Sequence, residues 1–290
     1  MEDYLQLITS GEHARFREVA AKNGSAVWKA IQHCDSGQVF EALAPAFTEH
    51  ASTPSPASRS IVLATLNGLI HPDPVALRSG DRRLAREREF PPERPPDARW
   101  FEPALLLFDD AELGSRAADL ARCILVSVAE DVRRGLVDRC VELERLARWP
   151  RLYNALARSR EARAVERLRA IAGGDGDGPI ASRVRAASAL IYEAGIDPGE
   201  RDRLVGGILE LLAQTDDAQA VESVIPVLEE HVSEAHRDQL APALARWTEV
   251  AKREKATRYE LPTSHLVKNA LVGIAKDIGV PTAAPRRRRR

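Results

Sequence analysis

Cysteine is scarce in this chain of 290 residues. The three that occur, Cys34, Cys123 and Cys140, are odd in number and form no C-x-x-C pair. That argues against a disulfide framework and fits buried thiols in a reducing compartment. Aromatic residues make up only 5% of the chain, which disfavours a sheet, since sheets draw on aromatic and β-branched side chains. No apolar run approaches the roughly 18 residues that span a bilayer. The opening MEDYLQLITSGEH carries acids where a secretory signal carries bases. The expectation is a cytoplasmic protein without a membrane segment. The phosphate-cradling G-x-x-x-x-G-K-[ST], the dinucleotide G-x-G-x-x-G and the nucleophile elbow G-x-S-x-G are all missing. No cofactor is therefore expected, and the chain is expected not to be an enzyme.

Alanine and leucine carry the apolar load, and almost every segment between turns has helical spacing. Helices are expected at about 12–22 and 26–33, the first stopped by Gly24. Asp35 is expected to cap a helix bearing Val39, Phe40, Leu43 and Phe47. The run STPSPAS breaks the chain before an apolar helix that ends at His71-Pro72. From Arg78 to Pro103 the chain is first charged, then rich in proline, and its second part must be extended or loop. Asp110 is the expected cap of a long helical pattern that runs to Trp149-Pro150. Further helices are expected at about 152–157, 161–172, 180–194, 199–213, 218–231, 234–255 and 264–278. These boundaries divide the chain into N-terminal helical repeats (1–77), a charged Pro-rich insertion or linker (78–103), C-terminal helical repeats (104–280) and an Arg-rich tail (281–290). No segment alternates long enough to be a strand.

The fold class expected is all-α: an α-solenoid of stacked antiparallel helix pairs with an irregular N-terminal part. One pair spans very roughly 35 to 40 residues, the period of stacked helical repeats. RVRAASALIYEAG (Arg183 to Gly195) resembles the second helix of a HEAT repeat. Val184-Arg185, Ala187 and Ala189-Leu190 match the V-R-x-x-A-x-x-A-L pattern, with the alanine spacing shifted by one. Pro226, inside the helix expected at 218–231, fits a family that tolerates a kinking proline. The resemblance is clearest over residues 178–232. It implies helix pairs that each bury one face against the next and leave a long surface for partners. Some HEAT-like proteins are DNA glycosylases, but their Trp and Asp constellation has no residue-by-residue counterpart here.

Charge supplies the main functional lead. Arg133 to Arg169 holds eleven arginines against five acids, and Asp175 to Asp238 holds fourteen acids against five bases. Arg160, Arg163 and Arg167, spaced i, i+3, i+7, are expected on one helix face opposite Val165, Leu168 and Ile171. Trp100, Trp149 and Trp247 each end an Ala-Arg-Trp triplet; anchoring in the core weighs more than stacking on bases. The candidate partner- or polyanion-binding residues are Arg148, Trp149, Arg151, Arg160, Arg163 and Arg167. A protein partner is expected first. Nucleic acid, bound by the Arg133–Arg169 face with help from Arg286 to Arg290, is the alternative. Two metal readings carry little weight. Asp175 and Asp177 lack the further oxygen ligands of a calcium loop, and His231 and His236 are five apart, not the four that would bring both rings to one helix face. Asp109, Asp110 and His71 show no spacing that would make a catalytic set.

Overall fold

The computed structural model describes residues 4–70, 96–174, 178–222, 224–254 and 262–280. Every regular element among them is helical. The insertion call falls largely, and the calcium-loop and Arg-tail calls wholly, outside the described residues. The chain divides into two compact units, Met1–Arg139 and Cys140–Arg290.

The first unit begins with α1 (Tyr4–Thr9), α2 (His13–Lys22) and α3 (Gly24–His33). Gly24 does not stop α2. It opens α3, whose N-cap is Asn23, with the Asn23 side chain accepting a hydrogen bond from the Ser25 amide. A short polar side chain that satisfies a free N–H outweighs the stop signal of the glycine beside it. Asp35 caps α4 (Ser36–Ser52), accepting from the amides of Gly37 and Gln38. Ser55 opens α5 (Pro56–Ile70): its hydroxyl accepts from the Ser58 amide, and proline occupies the first helical position, where no N–H is missed. α5 is the hub, packing on α2, α3, α4 and α7. α6 (Phe101–Leu105) contains Pro103, so the Pro-rich stretch turns helical before it ends.

Asp110 does hold a helix entry, through the amides of Glu112 and Leu113. The helix it introduces, α7 (Gly114–Ser127), is not continuous to Trp149. The chain breaks at Val128 and resumes as α8 (Glu130–Val141), followed by two 3-10 turns, Leu146–Arg148 and Pro150–Leu152. Arg133 stabilises that break by donating to the carbonyls of Leu125 and Val128 at the end of α7. Trp100 fills the core of the unit, 4.9 Å edge-on from Phe40 and 5.5 Å from Phe47.

The second unit carries α9 (Tyr153–Ser159), α10 (Ala162–Gly173), α11 (Ile180–Glu193) and α12 (Pro198–Leu212). α13 (Ala218–Glu222), α14 (Ile225–His231), α15 (Arg237–Arg253) and α16 (Thr263–Asp277) follow. Pro226 does not kink one helix; it sits in the first turn of α14, a separate short helix. A proline there costs no backbone hydrogen bond, which is why a break is favoured over a bend. α15 likewise starts at Arg237, after a 3-10 turn at Glu234–His236. α11 lies at the centre, against α9, α10, α12, α13 and α14. Val184, Ile208, Leu209, Leu228, Trp247 and Leu271 form one continuous apolar cluster. The Trp247 indole donates to the Leu212 carbonyl at 3.0 Å, so its polar edge is satisfied inside that core.

Candidate functional site

Two constellations in the described residues have the residue types of chemistry. In the first unit His50 is 3% exposed and bridges Ser58 Oγ through Nδ1 (3.2 Å) and Asp110 Oδ2 through Nε2 (3.1 Å). The Ser58 hydroxyl also donates to the Ser55 carbonyl at 3.1 Å. The order Ser, His, Asp is that of a hydrolytic triad. Yet the Ser58 hydroxyl is 1% exposed and is engaged further by Ser55 Oγ at 2.9 Å. A nucleophile needs access to substrate. This trio instead ties α4 to α5 and to the turn ahead of α7. Aspartate 110, picked out from the sequence only as a cap and a scattered acid, serves both ends of that lock.

The second constellation is built of arginine. Helix ends explain several of these side chains. Arg183 donates to the Gly173 carbonyl at the end of α10, and Arg237 to the Ile278 carbonyl just past α16. Arg246 reaches the Thr215 carbonyl and Asp216 beyond α12. Cations at these positions satisfy free carbonyls and oppose the negative end of the helix dipole. Others are held by carboxylates in two-pronged pairs: Arg139 with Glu102, Arg158 with Glu193 (2.9 and 2.7 Å) and Arg169 with Glu200 (2.5 and 2.7 Å). Glu200 keeps the Arg169 guanidinium firmly charged, its pKa raised by that hydrogen bond. Each pair is partly exposed and contributes on the order of 1 kcal/mol or less. Their combined effect on charge is larger: Glu193 and Glu200 of the acidic stretch fold back onto arginines of the basic one.

The six sequence candidates separate under this geometry. Arg160 does not share a face with Arg163 and Arg167. It stands before α10, in the left-handed conformation that ends α9 (φ 56°), with its guanidinium against Gly195. A helix stop at that position overrides the i, i+3, i+7 spacing. Arg163 is exposed, 3.9 Å from Glu142. Arg148 and Arg151 are exposed in the two 3-10 turns, and Trp149 between them is half-buried. Val165, Leu168 and Ile171 are buried, as the spacing required.

Arg167 is the candidate that gains neighbours. α10 and α11 are joined by residues 174–179 and pack closely, an antiparallel pair. Arg167 stands six residues before the end of α10 and Arg185 five residues after the start of α11, roughly 9 and 7.5 Å from their common turn. They are therefore level with one another. Both are half-buried, both Nε–H groups are shut off from solvent, and neither has a hydrogen-bond partner. Arg183 and Arg201 share that unpartnered Nε–H. No carboxylate pairs with Arg167, Arg185 or Arg201 among the described residues. A buried, unsatisfied donor costs about 1–3 kcal/mol, more on a charged group.

Beneath Arg167 and Arg185 lies Tyr153, fully buried. Its hydroxyl donates to the Leu146 carbonyl at 3.3 Å and is hydrogen-bonded by Ser182. Burial pushes the phenol up to about 12, against the opposite pull of Ser182 and of the charges of Arg167 and Arg185. Sequence reasoning found Arg167 and missed Arg185, Ser182 and Tyr153. The V-R step that carries the repeat resemblance was the available signal for Arg185.

The second unit also has a shallow groove between α14 and α16, of about 320 Å³, floored by Val232, Ala270 and Ile274 and flanked by Glu229 and Asp277. His231 and His236 do not converge on a metal. His236 is buried against Ser233 and the Asp202 carbonyl, while His231 lies near Glu230 and Tyr192. Among the described residues no group of three or more His, Cys, Asp or Glu is placed to hold a metal ion. None of the helices there is long and apolar enough to cross a membrane. Comparison with family models, curated proteins and solved structures gives no match to this chain.

Proposed function

We propose that this chain is a non-catalytic interaction protein of HEAT-like, solenoid character that holds a protein partner through the partner's acidic side chains. The observation that carries the reading is a set of half-buried arginines on α10, α11 and α12, Arg167, Arg185 and Arg201, whose Nε–H groups are shut off from solvent without a partner and which no carboxylate pairs among the described residues. Elsewhere the same protein pairs its arginines with care, at Arg139, Arg158 and Arg169. An arginine kept half-buried without its counter-ion is ready to receive one from outside, since a preformed fork loses little freedom on binding a carboxylate.

Nucleic-acid binding by the Arg133–Arg169 face draws on some of the same residues and has less support. Three of its arginines are consumed by internal pairs, and Trp100 and Trp247 are buried away from any base. The test is fluorescence anisotropy with an array of unphosphorylated Asp/Glu-bearing peptides, alongside single-stranded and duplex oligonucleotides. The reading expects a subset of acidic peptides to bind at physiological salt and Arg167→Glu with Arg185→Glu to abolish it. Oligonucleotide binding should fade as salt rises. No peptide bound even at low salt, or oligonucleotide binding that persists at physiological salt, would reject it.

A further inference from the structure

Arg167 and Arg185 stand at the same level on the antiparallel helices α10 and α11 of the second unit, both near the buried Tyr153 hydroxyl, and neither Nε–H has a partner. On this observation we propose that Arg167 and Arg185 form a clasp for one dianionic phosphoryl group, carried on a phosphorylated side chain of a protein partner. The inference deepens the partner-binding reading and rests on it.

The clasp holds two fixed positive charges, because arginine does not deprotonate in proteins. A single carboxylate would leave one of them unneutralised, whereas a phosphomonoester near pH 7 carries almost two negative charges and three acceptor oxygens. Two planar forks can each engage two of those oxygens in a two-pronged contact. The hydroxyls below do not compete, because Tyr153 and Ser182 are occupied with each other and with the Leu146 carbonyl. Both Nε–H groups are turned inward and unpartnered. Rotation about the last side-chain torsions brings the Nε–Nη edge of each guanidinium out to a ligand and relieves that unpaired donor in the same movement. The neighbouring arginines do not offer the same arrangement. Arg183 is held at the Gly173 carbonyl, Arg169 by Glu200, and Arg201 lies near the start of α12, away from this level.

The experiment uses the full chain labelled with nitrogen-15 and follows the arginine Nε–Hε signals. Arg167→Lys and Arg185→Lys assign the two resonances and keep the charge while removing the fork. The probes are the peptide Gly-phosphoserine-Gly, its unphosphorylated and glutamate counterparts, and inorganic phosphate. The clasp predicts that the phosphoserine peptide and phosphate move both signals saturably, that the glutamate peptide does so at least tenfold more weakly and the unphosphorylated serine peptide not at all, and that either lysine variant weakens phosphoserine binding at least tenfold. The wild-type protein gives an independent reading if a variant does not fold. A phosphoserine with its second pKa near 6 loses its dianion on acidification, so affinity should fall about tenfold between pH 7.5 and pH 5. Shifts spread evenly over many arginines, a glutamate peptide that binds as tightly as the phosphoserine peptide, or pH-independent affinity each overturn the clasp. Acidic peptides that bind while phosphoserine moves neither signal overturn the clasp and leave the partner-binding reading intact; binding of neither overturns both.

Discussion

Tyrosine 153 shows how one buried side chain reports on its surroundings. Its hydroxyl is pushed up to about 12, because burial disfavours the phenolate more than Ser182, Arg167 and Arg185 favour it. An unfolded tyrosine ionises near 10. Folding stability linked to this group is therefore complete below about pH 10 and is lost as pH rises toward 12. Spectrophotometric titration at 295 nm should show a phenol ionising near pH 12 that Tyr153→Phe removes; a Tyr153→Phe variant that leaves the high-pH phase unchanged would contradict the burial. His50 makes a parallel case. His50→Ala removes the link from α4 to Ser58 and Asp110 and leaves a cavity at a buried site, and should cost about 2 kcal/mol or more in urea denaturation. A neutral result would mean the trio is not a lock. Arg160 invites the opposite prediction. It pays for a left-handed backbone that glycine adopts freely, so Arg160→Gly should stabilise the chain by up to about 1 kcal/mol, whereas Arg160→Ala should not.

At the scale of the element, the helix starts were the most legible feature. Asp35 and Asp110 announce themselves as caps because a short acceptor beside an apolar stripe has one efficient use. Helix ends and breaks were harder to read. Gly24 and Asn23 both signal a boundary, and only the tertiary placement of α3 decides that the pair begins a helix instead of closing one. Pro226 was read as a kink because an apolar pattern continues on both sides of it. The pattern reports which face is buried and is silent on whether the backbone ladder is intact. Gly174, by contrast, closes α10 with φ 97°, its amide bonded to the Ala170 and Ile171 carbonyls. A Cβ there would meet the Arg183 guanidinium at 3.1 to 3.3 Å. Gly174→Ala should therefore lower thermal stability by about 1 kcal/mol or more, measurable by calorimetry; an unchanged melting temperature would mean that the α10 terminus is not held as described.

Across the whole molecule, the all-helical character was readable from composition and spacing, and the disposition of charge was not. Sequence shows a basic stretch followed by an acidic one and suggests two opposed fields. Folding spends part of that contrast internally, through Arg158 with Glu193 and Arg169 with Glu200. Those partners lie 35 and 31 residues apart, beyond any local pattern. Arg167, Arg185 and Arg201 stay half-buried without a paired carboxylate among the described residues, hidden in the sequence among arginines that do structural work. The distinction between spent and unspent arginines is the centre of the account, and one crossed comparison measures it. Melting temperature and binding of an acidic or phosphoserine-bearing peptide should be recorded for two double variants, Arg158→Gln with Arg169→Gln and Arg167→Gln with Arg185→Gln. The account predicts that the first pair lowers stability and leaves binding in place, while the second keeps or raises stability and loses binding. Equal effects of the two pairs on both quantities would contradict it.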